Sequence, residues 1–544
     1  MPQSPASATL KAHKSVETTL SNLPHLHNPV EATRTFYLDC NATTPVLPAA
    51  ADVAQRVMQA QFGNPSSSHA AGGQAKALLD DARAVVEQVL GAGQGQVMFN
   101  SGATEGIQTS VLSGLCAIRE RMGRGAACGH LLVVGATEHK AVSRSLKHWN
   151  AVLGLGLEVR VLPVDANGRH DLTLLAQWLP DVAMLCTMAA NNETGVVSNL
   201  QGIETLLRLA DTHREAPVLW LVDCVQALGK MPLNLAQRRI DYAPFSGHKL
   251  YAPKGVGMLY VREGAPYTPL VVGGGQEDGA RGGTENMAGI AAFATVLKTL
   301  QEGHFFASHD SLLSYRDALE QTLCHAFPGV QFSAPLQFCL PTTLNFSVPG
   351  VSSQTLTDAL EAVGIQVSAG SACSAASAAP SEVLQAMGLP PERCRSAVRL
   401  SIGPWVSSDF IENACQAIEA CGRRLQEAHA QNQEPSLDLS WQDLASFLEQ
   451  HPQACLVDVR DASEHLANPV KAPGKHPVNN APLHLLIQQR PAWLQPDVPV
   501  VFVCRSGQRS LRAARWLQTQ GHACVRHVPG GLASSDLQES IAAD

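Results

Sequence analysis

A short polar stretch containing one lysine has the residue types of a covalent cofactor site. Lys249 closes the sequence Ser-Gly-His-Lys, so a hydroxyl (Ser246) and an imidazole (His248) lie close to its amine. A lysine held at one point can form a Schiff base with pyridoxal 5'-phosphate (PLP), and the two neighbours can bind the cofactor's phosphate. Taken alone, the four residues fit a surface lysine in a loop equally well, so the interpretation depends on the rest of the chain.

Three further candidates follow buried strands. Asp223 ends the apolar run 218–222, and a carboxylate there can pair with the protonated pyridine nitrogen of PLP. Gln226, a little further along, can reach a ring substituent. His139 follows a strand predicted at 130–134, where α/β proteins place ligand contacts, and its imidazole can stack on an aromatic cofactor and move protons. In isolation, His139 fits a surface or capping histidine equally well.

A strand predicted at 96–99 runs through small residues at 100–106 into a helix. Free amides and the helix dipole at such a junction form an anion site. An ordinary helix start, capped by Ser101 or Thr104, is the alternative for this segment taken by itself.

The elements that position these residues alternate between continuous apolar strands and helices, one of them predicted over 70–90 and ended by Gly91. This pattern predicts an α/β fold with a parallel sheet covered on both faces. From about 288 to 421 it changes to helices with shorter strands, which predicts a smaller α+β lobe. Arg399 lies in a short strand of that lobe, where its guanidinium should bind a carboxylate from substrate or protein.

One cysteine of the small lobe lies among unusually small residues. Cys373 is in the segment 367–381, which has almost no bulky side chain to anchor it. We predict a mobile loop that carries one thiol. A buried cysteine in a helix of small residues is the alternative.

A second unit follows a polar linker at 427–435. Cys504 comes directly after a predicted strand, 498–503, and directly before an amphipathic helix. Backbone amides at a helix N-terminus and nearby arginines lower the pKa of a thiol and stabilise an anionic sulfur. Arg509 follows the cysteine by five residues, one fewer than in phosphatase loops of this kind, and the shorter loop suits one extra sulfur atom better than a phosphate.

Composition limits the class of protein. The 544 residues carry a net charge of −8, so we expect no direct nucleic-acid partner, and no apolar run approaches the roughly 20 residues of a membrane span. Residues 1–35 lack an apolar signal core and are predicted to be a disordered tail. The 14 cysteines include no Cys-x-x-Cys pair, which favours a reducing, cytoplasmic location and no metal site.

Taken together, these residues resemble the cysteine desulfurases, the class V aminotransferase-like PLP enzymes of the IscS and NifS type. The resemblance spans about residues 37–421 and rests on short motifs: Ser-Gly-Ala-Thr-Glu (101–105), Thr-Glu-His-Lys-Ala-Val (137–142), Asn-Asn-Glu-Thr-Gly (191–195), Ser-Gly-His-Lys (246–249) and Gly-Ser-Ala-Cys (370–373). It implies a homodimer of PLP-dependent transferase fold type I, in which a large domain with a parallel or mixed sheet precedes a smaller α+β lobe.

The resemblance also implies a role for each candidate. Lys249 would carry PLP, Asp223 would bind the pyridine nitrogen, His139 would lie on the ring face, and Cys373 would accept sulfur. The remaining expected contacts are Gln226 and Asn192 to the ring oxygen; Ala103, Thr104, Ser246 and His248 to the phosphate; Thr284 to the phosphate from the other subunit; and Arg399 with Asn192 to the substrate carboxylate.

The unit at 436–544 resembles a rhodanese domain with Cys504 in its active loop, giving a desulfurase domain at 36–426 and a rhodanese-like domain after the linker. The Gly-His-Ile-x-Gly-Ala segment usual in that family is replaced here by residues 468–476. The resemblances imply that L-cysteine becomes L-alanine while sulfur passes to Cys373, then to Cys504, and then to an acceptor protein or small molecule.

Two alternatives remain open at this point. The first is a selenocysteine lyase, or a class V aminotransferase in which the loop thiol is idle. In the second, the C-terminal unit only docks partners and carries no sulfur.

Overall fold

The computed structural model describes residues 35–126, 128–369, 380–431, 437–488, 491, 494–495 and 497–534. Cys373 and almost all of the predicted N-terminal tail lie outside the described residues. Among the described residues, no helix is both long enough and apolar enough to cross a membrane.

The first part of the chain alternates strands and helices. Its elements are β1 (Phe36–Tyr37), α1 (Pro48–Ala60), α2 (Ala70–Leu90), β2 (Gln96–Asn100), α3 (Ala103–Gly123), β3 (Leu131–Gly135), α4 (Lys140–Val152), β4 (Glu158–Leu162), α5 (Leu172–Trp178), β5 (Val182–Met188), α6 (Leu200–Asp211), β6 (Leu219–Asp223), β7 (Tyr242–Ser246), β8 (Gly257–Val261) and α7 (Met287–Glu302).

Seven of these strands form one sheet in the order β2-β8-β7-β6-β5-β3-β4. The strands from β7 to β4 pair in parallel, whereas β8 runs antiparallel to both of its neighbours. Every residue of β5 and β6 is buried, which explains their unbroken apolar sequences. The predicted α/β fold is confirmed, with a mixed sheet.

Helix α2 shows how local sequence sets an element's bounds. It begins at Ala70, where the His69 side chain accepts a hydrogen bond from the Gly72 amide. It ends at Leu90 because Gly91 adopts a left-handed conformation, with φ of 57°, that closes the last turn. The predicted bounds of this helix are confirmed.

A smaller lobe follows. Its elements are α8 (His309–Ala326), β9 (Gln331–Phe332), β10 (Thr343–Ser347), α9 (Ser353–Glu361), β11 (Ile365–Gln366), β12 (Ser368–Ala369), α10 (Glu382–Ala386), α11 (Pro391–Ser396), β13 (Val398–Ser401) and α12 (Ser408–Gln431). An antiparallel sheet has the order β12-β13-β10-β9, and β11 pairs in parallel with β1.

The predicted start of this lobe, at residue 288, was wrong. Helix α7 packs in the large-domain core through Ile290, Phe293 and Leu297, whereas Phe36 and Leu38 from the start of the domain belong to the small-lobe core. An apolar helix face does not reveal which sheet it will cover, so the sequence pattern could not assign α7.

The C-terminal domain contains α13 (Trp441–Gln450), β14 (Cys455–Asp458), α14 (Ala462–Ala467), β15 (Val478–Asn480), α15 (Leu483–Gln488), β16 (Val500–Val503), α16 (Gln508–Thr519) and β17 (Val525–His527). Its four strands form a parallel sheet in the order β15-β14-β16-β17. Helix α12 continues to Gln431, into the segment predicted as linker, and the predicted domain bounds stay a prediction.

The C-terminal domain contacts the small lobe through a basic side chain of α16. Arg515 lies 3.0 Å from an oxygen of Asp358 and 3.1 Å from the Thr355 hydroxyl, both on α9. Helix α9 in turn packs against β12, the strand that leads into the segment containing Cys373.

Candidate active site

One cavity of about 490 Å³ gathers most of the predicted site residues. The cavity lies at the ends of strands β5, β6 and β7, between the edge of the sheet and residues of the small lobe. Ten of the predicted residues line it: Ala103, Thr104, His139, Asn192, Asp223, Gln226, Ser246, His248, Lys249 and Arg399. The roles of these residues stay predictions. The fold brings together residues as distant in the sequence as Ala103 and Arg399, which are 296 positions apart.

The amine of Lys249 is held at the cavity wall. Strand β7 ends at Ser246, and a tight turn over Gly247–Lys249 follows it. The Lys249 amine donates to the Asn41 carbonyl at 2.8 Å and to the Ala42 carbonyl at 2.7 Å. Backbone carbonyl groups therefore hold this amine in place.

Asp223 and His139 lie on neighbouring strand ends. The buried Asp223 accepts a hydrogen bond from the Val225 amide at 3.0 Å, and burial raises the pKa of its carboxyl group. A cationic partner such as a pyridinium would offset that cost. His139 caps α4 by accepting from the Ala141 amide through Nδ1, and burial lowers its pKa, which favours the neutral imidazole. The histidine thus caps a helix and also lines the cavity.

The start of α3 forms an open cradle for an anion. Its N-cap residue is Gly102, whose φ of 143° suits glycine, and no side chain caps the helix. A Cβ atom at the neighbouring Gly257 would lie 2.6 Å from the Gly102 Cα, so this approach requires glycine. The first amides of the helix, together with Ser246 and His248, form a donor set for a phosphate. Burial lowers the pKa of His248 to about 4, which leaves it neutral near pH 7.

A buried lysine that the sequence analysis missed lies behind the cavity wall. The Lys230 amine donates to Asn41 Oδ1 at 2.9 Å and to Gln226 Oε1 at 2.6 Å. The Gln226 amide group donates in turn to the Asn41 carbonyl at 3.1 Å. Lys230 thereby fixes which end of Gln226 is the donor. The only indication in the sequence was its position four residues after Gln226. Pairs of polar residues at that spacing are too common to identify a buried contact.

Arg399 is buried at the opposite wall of the cavity. Its guanidinium donates to Asp39 at 2.6 Å and to the Asn192 carbonyl at 2.9 Å. Its Nε hydrogen is buried and has no hydrogen-bond partner among the described residues. An arginine held in a fixed orientation at a cavity wall can bind a small carboxylate. Asp39 is a second residue that the sequence analysis did not assign.

Described residues on either side of the undescribed segment 370–379 lie near this cavity. On one side, the Ser368 hydroxyl donates to Asp39 at 2.7 Å and accepts from Arg399 at 3.3 Å. On the other, the Ser381 hydroxyl donates to the buried Glu193 at 2.6 Å. Cys373 is four residues from Ala369, a reach of at most about 14 Å in an extended chain.

Thr284 does not line the main cavity. It is exposed and borders a smaller cavity of about 190 Å³, which shares Ser101 and Gly255 with the main one. The expected phosphate contact from Thr284 across a dimer stays a prediction.

The Cys504 thiol lies in the interior of the C-terminal domain. The thiol is fully buried, and its sulfur accepts a hydrogen bond from the Ser510 amide at 3.4 Å. Arg509 forms two hydrogen bonds to Glu464, at 2.6 and 2.9 Å, and lowers the pKa of that carboxyl group to about 2. The arginine expected to stabilise an anionic sulfur is therefore already paired with a carboxylate.

Comparison with known proteins agrees with this geometry. The family model "Aminotransferase class-V" matches residues 36–413. The chain belongs to the class V aminotransferase family. Members of this family use PLP, and the lysine, aspartate, histidine and anion cradle of the cavity fit that cofactor, so the expectation of a PLP-dependent enzyme is confirmed. A second family model, "Rhodanese-like domain", matches residues 440–535 and confirms the resemblance of the C-terminal domain.

Similar proteins of this family have names that point to sulfur chemistry. A cysteine desulfurase of Nostoc sp. is 34% identical over 391 residues, covering 72% of this chain and 93% of the relative. The cysteine desulfurase NifS of Azotobacter vinelandii is 36% identical over 386 residues, covering 70% and 91%. Among solved structures, a NifS-like protein has a TM-score of 0.62 at 31% identity (71% and 99% covered), and DndA of Streptomyces lividans has 0.53 at 32% (68% and 99% covered).

Proposed function

We propose that this class V family member is a cysteine desulfurase that converts L-cysteine to L-alanine and delivers the sulfur through two cysteines of its own chain. The observation that carries the proposal is that Ser368, before the segment with Cys373, contacts Arg399, and Ser381, after it, lines the same cavity. An arginine that binds the substrate carboxylate and a thiol on the segment between these two serines can act on the same small amino acid.

Different residues of the cavity have different roles in the first step of the reaction. PLP, when bound, supplies an electron sink that weakens the bond between the substrate's Cβ and its sulfur. Lys249 provides the amine that anchors the cofactor and moves a proton at the substrate's α-carbon. Asp223 would hold the pyridine nitrogen, and His139, whose pKa is lowered by burial, would exchange a proton at the substrate. Arg399 orients the substrate through its carboxylate.

Cys373 takes the sulfur. Its thiolate attacks the substrate's sulfur as the carbon–sulfur bond breaks, so the products are L-alanine and a persulfide on Cys373. Every atom of the substrate and the thiol is retained, and no external oxidant is needed.

The persulfide then passes to Cys504 by thiol exchange. Support comes from the contact of Arg515 with Asp358 and Thr355, because it attaches the helix that follows Cys504 to the helix that packs on β12. Joining the two domains in one chain raises the effective concentration of the second thiol to the millimolar range typical of short linkers. From Cys504 the sulfur would pass to an acceptor protein or small molecule, in iron–sulfur cluster assembly or in thiolation of a tRNA or cofactor.

Incubation of the purified holoenzyme with ³⁵S-labelled L-cysteine tests both steps, with the label mapped onto peptides by mass spectrometry. We expect label on Cys373 and Cys504 in the wild type. In Cys504→Ser we expect label on Cys373 alone, and in Cys373→Ser we expect no label on either residue and no alanine. Alanine formation at full rate by Cys373→Ser would defeat the desulfurase assignment.

The same experiment, with a parallel assay of alanine release from selenocysteine, decides between the alternatives. An aminotransferase with an idle loop thiol would leave Cys373 unlabelled. A C-terminal domain that only docks partners would leave Cys504 unlabelled while Cys373 is loaded. A selenocysteine lyase would release alanine from selenocysteine much faster than from cysteine.

A further inference from the structure

The Cys504 thiol lies at one end of a row of four side chains that reaches the first residues after the linker. Its Sγ atom is 3.5 Å from the Ser510 hydroxyl oxygen, and that oxygen is 3.4 Å from His527 Nδ1. The other ring nitrogen, Nε2, is 2.9 Å from an oxygen of Asp438. Cys504, Ser510 and His527 are buried, whereas the Asp438 side chain is 63% exposed.

Backbone pairing holds Asp438 opposite its histidine. The Leu439 amide donates to the His527 carbonyl at 2.9 Å, and the His527 amide donates to the Leu437 carbonyl at 2.8 Å. The segment that leaves the linker thus extends the sheet beside β17, and the position of the carboxylate follows from that pairing.

The carboxylate of Asp438 selects one tautomer of His527. An ionised carboxylate only accepts hydrogen bonds, so the Nε2 atom that faces it carries the proton. The hydrogen bond from His527 lowers the pKa of Asp438, which keeps the carboxylate ionised. In the neutral ring, Nδ1 then presents its lone pair to the Ser510 hydroxyl.

We infer that Ser510, His527 and Asp438 form a path that removes the proton from the Cys504 thiol and so prepares it to accept sulfur. The inference rests on the proposed role of Cys504 as a sulfur carrier. The thiol proton passes to the Ser510 oxygen while the Ser510 hydroxyl proton passes to His527 Nδ1. The S–H bond breaks, an N–H bond forms on the imidazole, and the electron pair stays on sulfur.

The product state is stabilised at both ends of the path. The imidazolium lies beside the Asp438 carboxylate, and the thiolate accepts hydrogen bonds from the Ser510 amide and hydroxyl. The thiolate can then attack the outer sulfur of the Cys373 persulfide. The sulfur–sulfur bond of Cys373 breaks, its electron pair leaves on the Cys373 sulfur, and Cys504 carries the persulfide.

The Ser510 hydroxyl has a second acceptor, the Gly507 carbonyl at 3.0 Å. The hydroxyl proton turns from this carbonyl to His527 Nδ1 before the transfer, because one hydroxyl donates one hydrogen bond at a time. Two other charged groups face the path. Arg509 interacts electrostatically with Cys504 but forms an ion pair with Glu464. Arg515 interacts electrostatically with Asp438 but forms an ion pair with Asp358.

Ser510 is the catalytic member of the path because it touches the reacting sulfur. His527 and Asp438 act through it and are positioning residues. The test is the pH dependence of the rate at which iodoacetamide alkylates Cys504 in the full-length holoenzyme. Mass spectrometry follows the peptide that contains Cys504. Because the thiol is buried, the reagent reaches it only when the loop opens, and this opening scales the rate at every pH. Only the thiolate reacts, so the midpoint of the rate against pH reports the deprotonation of this one thiol.

We expect Ser510→Ala, His527→Gln and Asp438→Asn each to raise the midpoint by about one pH unit or more, equivalent to a tenfold lower thiolate fraction below it. Asp438→Asn keeps the size of the side chain at a largely exposed position and is the variant least able to disturb folding. Adding Asp438→Asn to His527→Gln should cause no further shift, because the carboxylate acts only through the ring.

The matched control is Asp497→Asn, an exposed aspartate of the same domain, which should leave the midpoint unchanged. Midpoints for Asp438→Asn and His527→Gln within about 0.2 pH unit of the wild type would overturn the inference. Alkylation does not require cysteine turnover, so the two proposals fail separately. Unlabelled Cys504 in the ³⁵S experiment would remove its role as carrier even if the midpoints shift.

Discussion

Arg399 and Asp39 form a part-buried ion pair at 2.6 Å beside the cavity, although 360 positions separate them in the chain. Asp39 also accepts from the Ser368 hydroxyl at 2.7 Å, so one carboxylate connects the arginine to the start of the Cys373 segment. The group that should bind the substrate therefore lies beside the residues that lead into the segment with the proposed acceptor thiol.

The first prediction concerns this pair. Asp39→Asn removes the charge that orients the guanidinium, and Arg399→Lys removes its planar fork, so both should lower kcat/KM for L-cysteine, by about 10- to 100-fold, mainly through a higher KM. Steady-state assays of alanine formation give kcat and KM for each variant. Asp165→Asn, at a surface turn, is the control. An unchanged KM in Arg399→Lys would contradict the assigned carboxylate contact.

The second prediction concerns the buried lysine behind the cavity. Lys230→Met releases the Gln226 amide, which can then turn its oxygen towards the cofactor, so PLP should bind about tenfold more weakly. Titration of the apoenzyme with PLP, followed by absorbance, gives the dissociation constant. Exposed Lys298 on α7 provides the control, Lys298→Met. If Lys230 acts through Gln226, Lys230→Met should have little further effect in a Gln226→Ala background.

The third prediction follows from the pKa of the same lysine, which burial lowers from 10.5 to about 7. Between about pH 7 and 10.5 the unfolded chain binds one more proton at this site than the folded chain, so this group makes the free energy of unfolding rise with pH. Below pH 7 the folded apoprotein bears the full cost of a buried ammonium.

Urea unfolding of the wild-type and Lys230→Met apoproteins at pH 7 and pH 9.5 tests this sign. The stability of the wild type relative to the variant should increase at the higher pH. A relative stability that stays constant or falls would show that burial does not lower the pKa of this lysine.

The fourth prediction concerns the contact between the two domains. Arg515→Ala removes the pair with Asp358, so transfer of ³⁵S from Cys373 to Cys504 should slow by about 2- to 10-fold, since a single half-exposed ion pair contributes about 1 kcal/mol. The rate of alanine formation under conditions that remove the persulfide should not change. Arg512→Ala, an exposed arginine on the same helix, should transfer sulfur at the wild-type rate.

A faster or unchanged transfer in Arg515→Ala would show that this contact does not hold the domains in a productive arrangement. Raising the salt concentration should reproduce the slower transfer in the wild type and have less effect on the variant, because salt screens exposed ion pairs.

Much of the large domain could be predicted because its signals are local. The apolar runs of β5 and β6 are continuous because both faces of the sheet are covered, and Gly91 ends α2 because its left-handed backbone conformation suits glycine. The chemistry of the motif that ends at Lys249, and of Asp223 at its strand end, could be predicted for the same reason. Each combines a reactive group with a recognisable backbone position.

What the sequence determined by itself was therefore the identity of the reactive groups and the elements that carry them, because side-chain chemistry and backbone propensity act over a few residues. The tertiary structure alone decided the partners. It placed Asp39 on Arg399, Lys230 on Gln226, and Asp438 on His527. A buried charge or polar group must find its partner wherever the fold brings one, and no short-range pattern records that choice.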